Sequence, residues 1–207
     1  MKVLLVNGSP NKEGCTYTAL TEVAGALESA GVSTEIFQLG AEPIEGCRDC
    51  SYCRKMKTCV IEDKVNEFAA LASGVDGLVF GSPVHFAAAS GSITSFMDRL
   101  FFSCGMRIFA GKPGAVVVSC RRGGSTAALD QLNKYLSISQ MPIVSSQYWN
   151  MIHGITPDEV LQDSEGVQIM RTLGKNMAWL LHCLQAGANA GIEPPEKERR
   201  IFTNFIR

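Results

Sequence analysis

The 207-residue chain has no apolar run approaching the roughly 20 residues that a membrane-spanning helix requires. Its opening, MKVLLVNGSP, is basic and then apolar, but the apolar stretch is too short for a secretory leader. Net charge is almost lacking too: 19 Lys and Arg against 20 Asp and Glu leave −1. That removes the electrostatic case for nucleic acid or for an acidic membrane surface. Histidine is scarce, and His85, His153 and His182 stand too far apart for a metal-binding spacing. There is no G-x-G-x-x-G, no P-loop and no G-x-S-x-G elbow, which leaves the dinucleotide fingerprint, the triphosphate cradle and the serine hydrolase without support. Internal repeats, low-complexity segments and interdomain linkers are also missing, so the length reads as one domain. Without an export signal, the eight cysteines read as reduced thiols or ligands rather than disulfides, and the cytoplasm is the expected compartment.

What is present is concentrated. Cys47, Cys50, Cys53 and Cys59 fall in the run GCRDCSYCRKMKTC, with spacing C-x2-C-x2-C-x5-C. Three cysteines at successive x2 spacings can wrap one face of an iron–sulfur cube, and a fourth nearby can close it. Zinc sites usually use two close pairs set well apart, which this run does not offer. A single zinc, or a redox-sensitive or vestigial loop without metal, stays open beside the cluster on spacing alone.

Periodicity organises the rest. Lys2 to Val6 is a short apolar run entering Asn-Gly-Ser-Pro, a strand into a turn. Leu20, Val23, Ala24 and Leu27 share one helical face, stopped by Gly31. Ser33 to Leu39 predicts a second strand and 41–63 a long cysteine loop, of a length that is usually functional. A helix over Lys64–Ser73, a strand over Gly77–Gly81, a loop to Gly91 and a helix through Ile93, Phe96, Met97, Leu100, Phe101 and Cys104 follow. Gly114–Ser119 reads as a strand covered on both faces. Thr126–Ser139 predicts a helix, Pro142–Gln147 a fifth strand and 162–184 a last long helix. The alternation predicts an α/β, flavodoxin-like, doubly wound five-stranded parallel sheet in three layers, order 2-1-3-4-5. The domain spans 1–190, with the cysteine-rich loop at 41–63 and a C-terminal tail at 191–207. The tail's Ile201, Phe202, Phe205 and Ile206 would be costly to leave exposed together, so a homodimer or tetramer is expected.

In such sheets ligands bind beyond the carboxyl ends of the strands, near the switch in strand order. The loop after strand one, Gly8 to Thr18, opens a helix, whose free amides and dipole receive phosphate. Ser9, Asn11, Gly14, Cys15, Thr16, Tyr17 and Thr18 are its candidate contacts, and a monophosphate fits better than a dinucleotide. Pro83, Val84, His85 and Phe86 sit where a flat ring can lie over the sheet edge. Ser119, Arg121, Gly123 and Gly124 form the third loop, the glycines admitting close backbone approach.

With those loops placed, the chain resembles the NADPH-dependent FMN reductase group of flavodoxin-like proteins, and within it the iron–sulfur flavoproteins. The resemblance rests on Gly8-Ser9-Pro10 through Thr18, on Cys47 to Cys59, on Ser82 to Phe86 and on Arg121 to Gly124. It implies that the first loop holds the FMN phosphate, that the other two border the isoalloxazine ring, and that Cys47, Cys50, Cys53 and Cys59 ligate a 4Fe–4S cluster. It also implies an oxidoreductase that passes electrons from NAD(P)H through FMN to a small-molecule or protein redox partner. A non-enzymatic electron carrier and a zinc-stabilised interaction module are the alternatives. Two positions depart from the family pattern: Cys15 stands where Asn is common, and His85 where Tyr is common.

Overall fold

The period-2 pattern of the strands decides which layer each residue enters. The computed structural model describes residues 1–207 apart from Lys197, Arg200, Arg207 and the side chain of Met106. Its elements are β1 (Lys2–Asn7), α1 (Cys15–Ser29), β2 (Ser33–Gln38), α2 (Tyr52–Met56), α3 (Lys64–Ser73), β3 (Gly77–His85), β4 (Ala88–Ala89), α4 (Gly91–Ser103), α5 (Gly105–Phe109), β5 (Gly114–Cys120), α6 (Ser125–Ile138), β6 (Met151–His153), α7 (Pro157–Gln162) and α8 (Ser164–Asn189). Leu4, Val6, Leu78, Phe80, Val116 and Val118 face α3, α4 and α6. Val3, Leu5, Val79, Ala115 and Val117 face α1 and α8. This alternation on a parallel sheet gives the three-layer, flavodoxin-like α/β architecture expected from the sequence.

The sheet runs β2-β1-β3-β5-β6, with β4 pairing β3 off that path. The five parallel strands keep the expected spatial order; the labels shift because the two-residue β4 intervenes in the chain. The expected strand over Pro142–Gln147 is a correction. Only Ile143 bridges Gly114 there. The Ser146 hydroxyl then donates to the Tyr148 carbonyl at 2.7 Å and accepts from its amide, turning the chain out of the sheet. The edge resumes at Met151–His153, opposite Val118–Cys120. β3 also runs four residues past its expected end. Pro83 fits there because β1 has already ended at Asn7 opposite Gly81, so only β5 pairs alongside. α7 was not expected, although Thr156-Pro157-Asp158-Glu159 spells a helix start: the Thr156 hydroxyl accepts from the Glu159 amide at 3.2 Å.

α1 and α8 pack closely through Gly174, where a Cβ would lie 2.6 Å from the Val23 carbonyl oxygen. Gly174→Ala is therefore expected to lower stability by about 1–3 kcal/mol despite alanine's better helix propensity. Gly25→Ala on the exposed side of α1, where a Cβ meets nothing, is expected to raise it by about 0.5–1 kcal/mol. Urea midpoints of the two variants should move in opposite directions. The tail predicted at 191–207 contains the three residues outside the description; its described residues have no helix or strand, and Ile201, Phe205 and Ile206 are exposed.

Candidate functional site

At the carboxyl edge of the sheet, between β1, β3 and β5, a cleft of about 180 Å³ opens. Ser9, Asn11, Cys15, Thr16, Pro83, Val84, His85, Ser119 and Arg121 line it, bringing together residues from all three predicted loops. Pro10, Cys120 and Gly154 also line it; Gly154 follows β6, and no sequence pattern pointed to it.

The floor is built from buried polar pairs. The Asn7 side chain is fully buried; its amide donates to the Gln38 side-chain oxygen at 2.6 Å, and its Oδ1 accepts from the Ser9 amide at 3.1 Å. Gln38 in turn donates to the Ser9 carbonyl at 2.7 Å. The first loop is thus tied to β2 before any ligand arrives. Asn7 and Gln38 were not among the sequence candidates. Gly8 lies against β3, its amide 2.9 Å from the Gly81 carbonyl, where a Cβ would overlap that oxygen. α1 starts with Gly14 as its cap and no side-chain hydrogen bond there, so among the described residues no side chain answers the amides of its first turn.

Some predicted contacts lie off the lining, and others on it are already engaged within the protein. The Thr18 hydroxyl is spent on the Gly14 carbonyl at 3.2 Å. Thr16 is buried, its hydroxyl 2.7 Å from that of Ser119, joining α1 to β5 at the cleft wall. Tyr17 lies off the lining. Phe86 does not border the cleft: it is fully exposed at a turn where both Phe86 and Ala87 have positive φ. Gly123 is exposed, while Gly124 at φ +92° packs against Ala87 of that turn. Burial pushes the Cys15 thiol up, and the Glu159 carboxylate adds to this, so it is neutral at physiological pH.

A second, much tighter cavity, about 20 Å³, lies at the far end of α4. Cys47, Cys50, Cys53 and Cys59 all line it, together with Arg99 and Phe102. Cys47 and Cys50 are exposed, Cys53 and Cys59 half-buried. Burial pushes the Cys53 thiol up; a backbone hydrogen bond opposes this, and charge on Cys59, Cys47 and Cys50 adds to it. Among the described residues no three His, Cys, Asp or Glu side chains converge on a single-ion position. Between the cysteines, Asp49, Ser51 and Lys57 have φ of 48°, 57° and 62°, left-handed turns without glycine. Arg99, unremarked in the sequence because it interrupts an otherwise apolar helix face, is 1% exposed.

A doubly wound sheet with a helix-N-terminal cradle at its switch point defines a flavodoxin-like protein. The fold matches a flavodoxin from the domain Archaea with a TM-score of 0.58 and 17% identity, covering 88% of this chain and 99% of that one. It matches an NAD(P)H:quinone oxidoreductase from Methanothermobacter marburgensis with a TM-score of 0.67 and 16% identity, covering 86% and 98%. In sequence, an iron–sulfur flavoprotein of Methanocaldococcus jannaschii is 30% identical over 185 residues, 86% of this chain and 96% of that protein. The profile of the NADPH-dependent FMN reductases matches residues 1–155. The chain belongs to the NADPH-dependent FMN reductase family, among relatives named iron–sulfur flavoproteins, and is an FMN-binding oxidoreductase. Among the described residues no helix is long and apolar enough to cross a membrane.

Proposed function

We propose that FMN occupies the cleft at the carboxyl edge of the sheet, with its phosphate at the N-terminus of α1, and that NADPH or NADH reduces it there. The observation that carries this reading is the joint lining of one cleft by the three loops, over helix amides that no side chain caps. FMN supplies the two-electron-to-one-electron chemistry; the protein supplies position and field. Asn7 and Gln38 hold the loop open, the neutral Cys15 thiol adds no repelling charge, and Arg121 at the rim offsets negative charge. In the family, Asn is common at position 15. Cys15→Asp is therefore expected to weaken flavin binding at least tenfold, about 1.4 kcal/mol, whereas Cys15→Asn keeps it. Flavin absorbance per chain after gel filtration reads both.

The four cysteines are proposed to carry a 4Fe–4S cluster that relays electrons onward to a redox partner. All four line one cavity, and their successive x2 spacings suit a cube better than a single zinc. Left-handed turns such as those at Asp49, Ser51 and Lys57 turn neighbouring amides to one side, the arrangement that receives anions and clusters. The strain of such turns, about 1–3 kcal/mol each, is commonest at functional sites. Anaerobic mixing with NADPH should bleach the flavin band. If neither NADPH nor NADH does so while dithionite does, the chain is a carrier fed by another reductant.

The chain is also proposed to work as a homodimer or larger assembly. Phe86 and Ile155 are exposed beside the cleft-lining His85 and Gly154, and Tyr148 and Trp149 are exposed on the bulged edge. Light scattering at micromolar concentration is expected to give at least twice the 22.3 kDa chain mass; a monomer would end this reading.

A further inference from the structure

Arg99 is the bulkiest of the fully buried side chains described, and a guanidinium is tolerated there only if its N–H groups are answered. Five contacts answer them. Nε donates to the Cys59 sulfur at 3.3 Å. Nη1 donates to Asp63 Oδ2 at 2.6 Å and to the Glu45 carbonyl at 3.3 Å. Nη2 donates to Asp63 Oδ1 at 2.9 Å and to the Ile61 carbonyl at 2.9 Å. These partners lie on both limbs of the cysteine loop: Glu45 stands before Cys47, and Ile61 and Asp63 follow Cys59. Asp63 also caps α3, accepting from the Val65 amide at 3.0 Å. Asn66 adds a second tie on the exit limb, exchanging hydrogen bonds with the Cys59 backbone at 3.1 and 2.9 Å.

We propose that Arg99 is the positioning residue of the cysteine cavity. It clasps the entry and exit of the loop to α4, and its Nε–H holds the Cys59 sulfur toward the cavity. The tuning half of this inference rests on the cluster reading. A hydrogen bond to a ligating sulfur favours the more negative, reduced state of the cluster, so Arg99 raises its potential. Lysine keeps the charge but has no second planar donor to reach sulfur while it holds Asp63.

The test uses the full chain in two forms. In protein stripped of iron, Arg99→Met is expected to speed amide exchange at least tenfold across residues 45–63, leaving the β-strands and the flavin content unchanged. Asp63→Asn should speed the same segment, which guards against failure of Arg99→Met to fold. In protein reconstituted anaerobically with iron and sulfide, Arg99→Lys is expected to retain the cluster. Its midpoint, followed by electron paramagnetic resonance, should fall by the equivalent of a tenfold change in equilibrium constant, about 59 mV for one electron. Unchanged exchange in both loop variants overturns the clasp. An Arg99→Lys midpoint equal to the unmodified protein overturns the tuning. A wild-type chain that takes up no iron would sink the cluster reading and the tuning together, and the iron-free exchange comparison would still decide the clasp.

Discussion

Gly124→Val is expected to empty the flavin cleft and to cost the fold about 2–5 kcal/mol. Gly124 sits at φ +92°, and a β-branched residue there loses about 1–2 kcal/mol from backbone strain alone. Its new Cβ would lie 2.4 Å from the Ala87 Cα and 3.2 Å from a Val84 methyl. Neither atom is the free end of a flexible side chain, so the β3–β4 turn must move, and overpacking of this kind costs about 1–3 kcal/mol more. That turn carries Val84 and His85 over the cleft, so displacement closes or opens the wall against which the ring lies. The neighbouring Gly123 is the control. A Cβ there meets nothing within 4 Å, and Gly123→Ala should stay within about 0.5 kcal/mol of the parent with full flavin. Urea denaturation and flavin absorbance per chain measure both. Full flavin occupancy in a folded Gly124→Val protein would place the ring away from this wall.

Replacing Cys50 and Cys53 together with alanine is expected to abolish iron uptake. Anaerobic reconstitution of the parent should load about four iron and four sulfide per chain, and the double variant less than one. The two positions contribute one exposed and one half-buried thiol to the same cavity, so the remaining pair cannot close a cube. Flavin content should not change, because neither residue touches the cleft. Zinc at about one per chain in both proteins, with no iron, would instead support a structural ion.

The parallel order of the sheet was legible because apolar runs such as Lys2–Val6 and Gly114–Ser119 are continuous, and helix faces such as Leu20 to Leu27 are regular. The broken edge was not legible. Pro142 to Gln147 has strand-like apolar residues, and only the Ser146 hydroxyl's competition for the backbone tells them from a strand. The cleft was legible loop by loop, since loops after parallel strands must converge at one edge. Individual side chains were less so. Thr18 and Phe86 looked like contacts by type and position, but a hydroxyl can return to its own turn, and a tight hairpin can throw its tip outward. Asn7, Gln38 and Arg99 carried no motif. Their importance lies in partners from distant strands and helices, and no local spacing records those.

α4 joins the cysteine cavity to the loop that borders the cleft. Its cap, Ser90, donates its hydroxyl to the carbonyl of Gly8, the residue before the cleft-lining Ser9, at 3.2 Å, and Arg99 lies nine positions further on. At 1.5 Å per residue that is roughly 14 Å of rigid helix. One residue inserted between them would swing Arg99 by about 100° and carry its five donors off every acceptor. Inheritance in this stretch should therefore be asymmetric: descendants can exchange side chains on the exposed face of α4 freely, yet its length between Ser90 and Arg99 should be the same in every relative that keeps both cavities.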